Sequence, residues 1–265
     1  MARPISVQLY SLREEAKQDF PGTLKFLSDV GYVGVEFAGL HGRKAGEVRK
    51  WLDDLGLKAS SAHTSAFDVS KANEIIDDAR ALGYSAVGCG FGPKDFENET
   101  TIKAAAERAN RGIERLSAAG LRVQYHNHWW EWEDPKKGEL LLKLCPKLYV
   151  QLDIYWAQTG GQDPAALIRK FAGRVLSIHV KDGPCEKGRP HTAVGQGKVN
   201  TKAVLAAAEK TPSEWYIVEL DSCASDMRAA VRDSYNYLVG SGLATGRRKA
   251  ADFVSAKPGQ KGELL

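Results

Sequence analysis

A single device repeats along the first half of this chain: an amphipathic stretch, a glycine, one or two residues, then a short apolar run. It occurs at Gly31, Gly56, Gly83 and Gly120. A glycine just past a periodic apolar stretch marks a helix C-terminus, and the runs that follow have the length of strands. TLKFLSDVG (23–31) leads into VGVEF (33–37), AGEVRKWLDDLG (45–56) into LKASSAH (57–63), ANEIIDDARALG (72–83) into SAVGCG (85–90), and a long helix over about 101–120 into LRVQYHNH. Strands that alternate with helices are parallel, because parallel neighbours need a crossover. The whole chain yields eight strands, near 5–10, 33–37, 57–63, 85–89, 121–127, 148–153, 175–180 and 215–219. Eight such units in 265 residues predict one closed (β/α)8 TIM barrel. An open doubly wound sheet is disfavoured, since GQGK (195–198) matches neither a dinucleotide fingerprint nor a phosphate loop. The barrel is expected over residues 1–242, with 243–265 as a C-terminal tail without clear periodicity.

Composition narrows the function classes. The net charge of +4 is too weak to imply a nucleic-acid partner, and much of it comes from Arg247, Arg248, Lys249, Lys257 and Lys261 near the C-terminus. No apolar run approaches the roughly 20 residues needed to span a bilayer, so no membrane partner is expected. The start MARPISVQLYSL lacks the apolar segment of a secretory signal. Cys89, Cys145, Cys185 and Cys223 contain no C-x-x-C pair, which fits reduced thiols in a cytoplasmic protein better than a disulfide scaffold or zinc knuckle.

Four of the apolar runs end in side chains able to bind a metal: VQYHNHWWE (123–131), YVQLD (149–153), VLSIHVKD (175–182) and WYIVELD (215–221). A parallel barrel gathers the C-terminal ends of its strands at one mouth, so Glu131, Asp153, His179 and Glu219 can meet there. Each signal is weak alone. Asp153 could equally cap a helix, His179 could be a hydrogen-bonded core residue, and Glu131 could sit in a solvated loop. Their recurrence at successive strand ends favours a divalent-ion site. Three oxygens and one nitrogen suit Mn2+ first, with Mg2+, Zn2+, Co2+ and Fe2+ as alternatives. In YHNH, His126 and His128 share a face by alternation, so His126 is the substitute for Glu131 as a ligand.

These residues and the segments VQLYSLR (7–13), GYVGVEF (31–37), YHNHWWEW (125–132), LDIYWAQTGG (152–161), IHVKD (178–182), VGQGKVN (194–200) and VELD (218–221) resemble the xylose-isomerase-like TIM barrels, the superfamily of sugar (phosphate) isomerases and epimerases. The resemblance covers roughly residues 5–240. It implies that Glu131, Asp153, His179 and Glu219 hold the ion and that the substrate is a small sugar or keto-sugar. Many epimerases of this kind place the first glutamate inside strand 5, where this chain has His126, which counts against simple 3-epimerase chemistry.

The expected activity is metal-dependent isomerisation or epimerisation through an enediolate. A divalent ion binds the carbonyl and neighbouring hydroxyl of a ketose, and Glu131 or Glu219 moves the proton on the carbon between them. His126, His128 and Lys181 are further catalytic candidates. Glu36, His63, Trp156 and His191 are candidate substrate contacts. The alternative is a lyase or dehydratase acting on a keto-polyol or 3-keto-glycoside, with the two histidines as acid and base. An abasic-site endonuclease and a non-catalytic sugar-binding barrel rank lower. The aromatic run Trp129, Trp130 and Trp132 suits a sugar face or a subunit contact, so a homo-oligomer stays open.

Overall fold

The computed structural model describes residues 2–247. Eight parallel strands run in chain order around a closed barrel: β1 (Arg3–Gln8), β2 (Gly34–Phe37), β3 (Lys58–His63), β4 (Ala86–Cys89), β5 (Arg122–His126), β6 (Tyr149–Asp153), β7 (Val175–Val180) and β8 (Trp215–Val218). Closure comes from β1, which pairs with β2 on one side and β8 on the other. The repeated glycines act as expected: Gly31, Gly56 and Gly83 each take a left-handed backbone that ends a helix. One difference lies at Leu9 and Tyr10, expected as the end of the first strand, which belong to a 3-10 turn over Leu9–Leu12 capped by the Gln8 side chain.

A short ninth strand, Ala244–Thr245, pairs with Arg3 and Pro4 of β1, and Arg247 N–H donates to Gly31 O. The beginning of the expected tail is therefore joined to the sheet, and the boundary at 242 falls just before that pairing. Residues 248–265 lie outside the described residues. The described chain begins and ends at the N-terminal face of the barrel, opposite the mouth.

Two layers of side chains follow from the alternation of each strand. Outward residues such as Val7, Val35, Val123, Val150, Leu152, Ile178, Val180 and Val218 are buried against helices. Those helices return matching stripes, for example Ala105, Ala109, Ile113 and Leu116 on the helix Glu99–Ser117. The inward layer is polar instead of the usual branched aliphatics. Ser177 Oγ donates to Gln124 Oε1 at 2.9 Å, and Gln151 Nε2 donates to Glu36 Oε2 at 2.7 Å. Gln8 Nε2 donates to Glu36 Oε1 at 2.7 Å, and Ser61 Oγ to Glu36 Oε2 at 2.5 Å. This network spans the barrel and satisfies most of the polar groups buried there, Gln124 Nε2 excepted. It also forms the floor of the mouth. Gly88 keeps the floor open, since a Cβ there would stand 2.5 Å from the His63 ring.

Candidate active site

Four side chains at the C-terminal mouth bring one ligand atom each within 4.8 Å of one another: His126, Asp153, His179 and Glu219. All four are buried. Asp153 does two jobs. Its Oδ1 accepts the Trp156 N–H at 2.8 Å, capping the helix Ile154–Thr159, while Oδ2 lies 3.4 Å from His126 Nε2. His126 Nε2 is buried with no hydrogen-bond partner, and Asp153 Oδ2 is buried with the Lys181 ammonium, at 3.1 Å, beside it. An unpartnered imidazole nitrogen 3.4 Å and 3.6 Å from two carboxylate oxygens fits a cation. The donor set of two carboxylates and two imidazoles also suits a divalent transition metal.

Glu131 does not join this group. The chain turns after His128, so Glu131 lies beside β5, where its Oε2 accepts the His128 N–H at 2.8 Å. Its Oε1 stands 3.7 Å from His128 Nδ1. His126 takes the inner position instead, because alternation along β5 points it inward and Tyr125 outward. The geometry thus moves Glu131 from the expected ligand set to a contact of His128, whose ring lines the mouth cavity.

Glu36 also differs from its expected role as a sugar contact. It is fully buried below the mouth and holds Gln8, Ser61 and Gln151. Its Oε1 lies 2.6 Å from His179 Nε2, while His179 Nδ1 lies 2.8 Å from Glu219 Oε2. This is the arrangement in which a carboxylate orients a ligand histidine through its second nitrogen. Burial disfavours charge on the His179 ring, but the carboxylates of Glu36 and Glu219 outweigh it and raise its pKa to about 10. Burial pushes the Glu36 carboxyl up, and the imidazoles of His63 and His179 more than reverse this, to about 2.

Glu36, His63 and His179 form a second group of metal-binding types. Its atoms are committed, however: His63 Nε2 donates to Gln151 Oε1 at 2.6 Å, and both Glu36 oxygens are hydrogen-bonded. His63 reaches the mouth cavity as well, so of the expected sugar contacts it is placed to touch a ligand.

Lys181 is fully buried. Its Nζ lies 3.1 Å from Asp153 Oδ2, 3.0 Å from Glu219 Oε2 and 3.0 Å from Asp221 Oδ2. Burial opposes its charge, but these three carboxylates hold its pKa well above the ordinary lysine range. In return, Lys181 outweighs the burial of Asp153 and Glu219 and keeps both carboxyls well below the usual carboxylate range. The Trp156 ring sits 5.2 Å from Lys181 Nζ. Trp156 thus walls the ammonium instead of lining the mouth cavity.

The loop after β7 is fixed by Asp182. Its carboxylate accepts four backbone N–H groups, from Gly183 (2.8 Å), Gly195 (2.9 Å), Gly197 (3.1 Å) and Val199 (3.0 Å). A side chain at Gly197 has no room, since its Cβ would stand 2.1 Å from Asp182 Oδ1. This anchor accounts for the pairing of IHVKD with VGQGKVN, and it carries His191 onto the site. His191 Nδ1 accepts the Asp221 N–H at 3.1 Å, so that nitrogen is unprotonated and the ring neutral. In agreement, burial first and the Lys181 charge second lower the His191 pKa to about 4.

A pH prediction follows. The unfolded chain protonates His191 near its ordinary 6.5, whereas the folded chain resists until about 4. Stability from this residue is therefore complete above 6.5 and lost on acidification towards 4, on the order of 3 kcal/mol over that window. His191→Asn keeps an acceptor for the Asp221 N–H and does not titrate. Urea midpoints should show the wild type losing stability relative to this variant between pH 7 and 4.5. A constant difference would refute the assignment.

The aromatic run divides. Trp132 is fully buried and packs on Phe171, so it belongs to the core. Trp130 stacks on His128 with ring centroids 4.2 Å apart, and Trp129 lies under Lys187. Sequence reasoning missed the floor residues Gln8, Gln124, Gln151 and Ser177. The recurrent Val-Gln pair at 7–8, 123–124 and 150–151 was the available signal. A polar residue at alternate positions of a buried run faces an interior that must hydrogen-bond it.

Comparison with known proteins agrees with this architecture. A family model for the xylose isomerase-like TIM barrel matches residues 24–239. A sugar phosphate isomerase/epimerase from Parabacteroides distasonis superposes with a TM-score of 0.75 at 27% identity, covering 90% of this chain and 94% of that one. An L-ribulose 3-epimerase superposes at 0.71 with 20% identity, over 98% of this chain and 100% of that one. The probable 3-DHS dehydratase of petrobactin synthesis from Bacillus anthracis superposes at 0.74 with 14% identity, over 89% and 98%; the last two show the fold alone. A search of curated proteins finds no match. Among the described residues no helix is long and apolar enough to cross a membrane. The chain belongs to the xylose isomerase-like TIM barrel family.

Proposed function

We propose that this protein is a divalent-metal-dependent isomerase or epimerase of a small sugar or keto-sugar. The observation that carries the reading is the double membership of Glu219. It belongs to the group of four converging ligand atoms, and it lines a mouth cavity of about 640 Å³. A carboxylate in both places can touch an ion and a substrate carbon together. The 27%-identical sugar phosphate isomerase/epimerase supports the same class.

His126, Asp153, His179 and Glu219 would hold the ion, oriented from behind by Glu36. With two nitrogen donors the set favours Mn2+, Fe2+, Co2+ or Zn2+ over Mg2+. When bound, the ion polarises the carbonyl and stabilises the charge that develops on its oxygen. Glu219 takes the proton from the adjacent carbon. Lys181 holds Glu219 and Asp153 in place and offers positive charge near a substrate oxygen. His63 and His128 contact hydroxyls from the β3 and β5 sides of the cavity.

A second reading, elimination of a β-substituent, is favoured by one feature. His128 lines the cavity, and Glu131 approaches its Nδ1 from behind. A histidine backed by a carboxylate can hand a proton to a leaving group. Solvent-deuterium exchange followed by NMR over a panel of keto-sugars separates the two. Isomerisation or epimerisation places deuterium in a product of unchanged composition, and elimination releases a fragment. Absence of exchange on every keto-sugar by the metal-loaded protein would overturn both readings.

A further inference from the structure

The mouth cavity has a neighbour. A second cavity of about 630 Å³ lies between the loop after β3 and the helix Glu99–Ser117. The two meet at Thr64, Ser65, Cys89 and Gly90, which line both. Either volume is typical of a small-molecule site, so the joined trough has room for a substrate longer than one sugar ring.

The far end of the trough is basic. Arg108 and Arg111 stand three residues apart on one helix face and both line the second cavity. Arg108 spends one nitrogen on Asp95, at 2.9 Å. Arg111 makes no ion pair among the described residues and is exposed. The cavity also holds one carboxylate, Asp68, whose Oδ1 accepts the Ser70 N–H at 2.9 Å and Oγ–H at 2.7 Å, leaving two guanidinium groups against it. Between the arginines and the centre, the Thr64 Oγ1 is buried with no hydrogen-bond partner. The spacing is rigid, because the loop after β3 presses on the arginine helix at Gly112, where a Cβ would stand 2.1 Å from Ala66 O. The two exposed large apolar side chains of the described residues also line this trough, Tyr10 at the centre end and Val69 at the basic end.

We propose that the substrate carries an oxyanion, a phosphate or a carboxylate, on the end remote from its reacting carbonyl, and that Arg108 and Arg111 hold that group in the second cavity. A forked guanidinium matches the paired oxygens of either anion. The stem linking anion to sugar lies past Thr64 and Cys89 at the neck shared by the two cavities. This inference rests on the reading of the mouth as the substrate site, and it narrows that reading to acidic substrates.

The test has one arm that needs no turnover. Inorganic phosphate and acetate are titrated calorimetrically into chelator-treated full-length protein, so that no ion can hold them. Wild type is expected to bind at least one of them, and Arg111→Glu to weaken that binding about tenfold or more. Arg111→Lys should keep part of it. Tighter phosphate than acetate assigns a phosphate, and the reverse a carboxylate. No binding to wild type, or equal binding to Arg111→Glu, overturns the proposal. In the second arm, deuterium exchange is followed on keto-sugars with and without a terminal phosphate or carboxylate. The ratio of kcat/KM for charged over uncharged sugars should fall about tenfold in Arg111→Glu; an unchanged ratio overturns the proposal. If no sugar exchanges while phosphate binding responds to Arg111, the anion site stands and the isomerase reading fails.

Discussion

Replacement of Glu219 by glutamine should lower proton exchange next to a ketose carbonyl by about 10²–10⁴-fold, the usual contribution of a positioned general base, in a protein that remains folded. Glutamine keeps the volume but neither carries the charge nor takes the proton. The fold survives because the surroundings have other partners: His179 keeps Glu36 at 2.6 Å, and Lys181 keeps Asp153 and Asp221. Metal content must be measured on the same sample. Lost exchange with metal retained identifies Glu219 as the base, and loss of both identifies it as a ligand. Near-normal turnover with metal retained would remove Glu219 from the chemistry and leave His128 as the better candidate. Elimination would then become the leading reading.

The largest effect on stability is expected at Asp182. Asp182→Ala deprives four buried or half-buried N–H groups of their acceptor. Charge-assisted bonds of this kind contribute strongly, and unpaired buried donors add their own cost. The expected loss is on the order of 3–5 kcal/mol, read from urea denaturation. Asp182→Asn should recover only part of it, because its amide nitrogen would face donors. Activity should fall with stability, since the same loop carries His191. A cost below about 1 kcal/mol would show that the loop is held by other contacts.

The eight-strand barrel was legible because two periodicities agreed: helical stripes closed by glycine, then short apolar runs. Asp153, His179 and Glu219 were legible for a related reason, since a strand end has one destination in a parallel barrel. Glu131 was misplaced because it lies five residues past the end of β5, where the chain has turned and strand alternation no longer predicts direction. His126, still within the strand, obeyed it. Glu36 was read as a substrate contact, but it sits one step deeper than a strand-end carboxylate. Depth along a barrel depends on the stagger between strands, including the register shifts in the β2–β3 and β6–β7 pairs, which no single strand encodes. The Asp182 anchor was illegible for a simpler reason. Its partners are backbone N–H groups, which every residue but proline possesses.

Lys181 gives the proposed centre an unusual economy. Small zinc modules collapse when chelated, because the metal supplies most of their folding free energy. Here an ammonium tethered to the barrel already sits among Asp153, Glu219 and Asp221, and a protonated His179 bridges Glu36 and Glu219. The emptied protein would therefore carry its own counterions, and ion uptake would release the His179 proton to solvent. Loading and unloading then become reversible events at one end of a barrel that never has to refold.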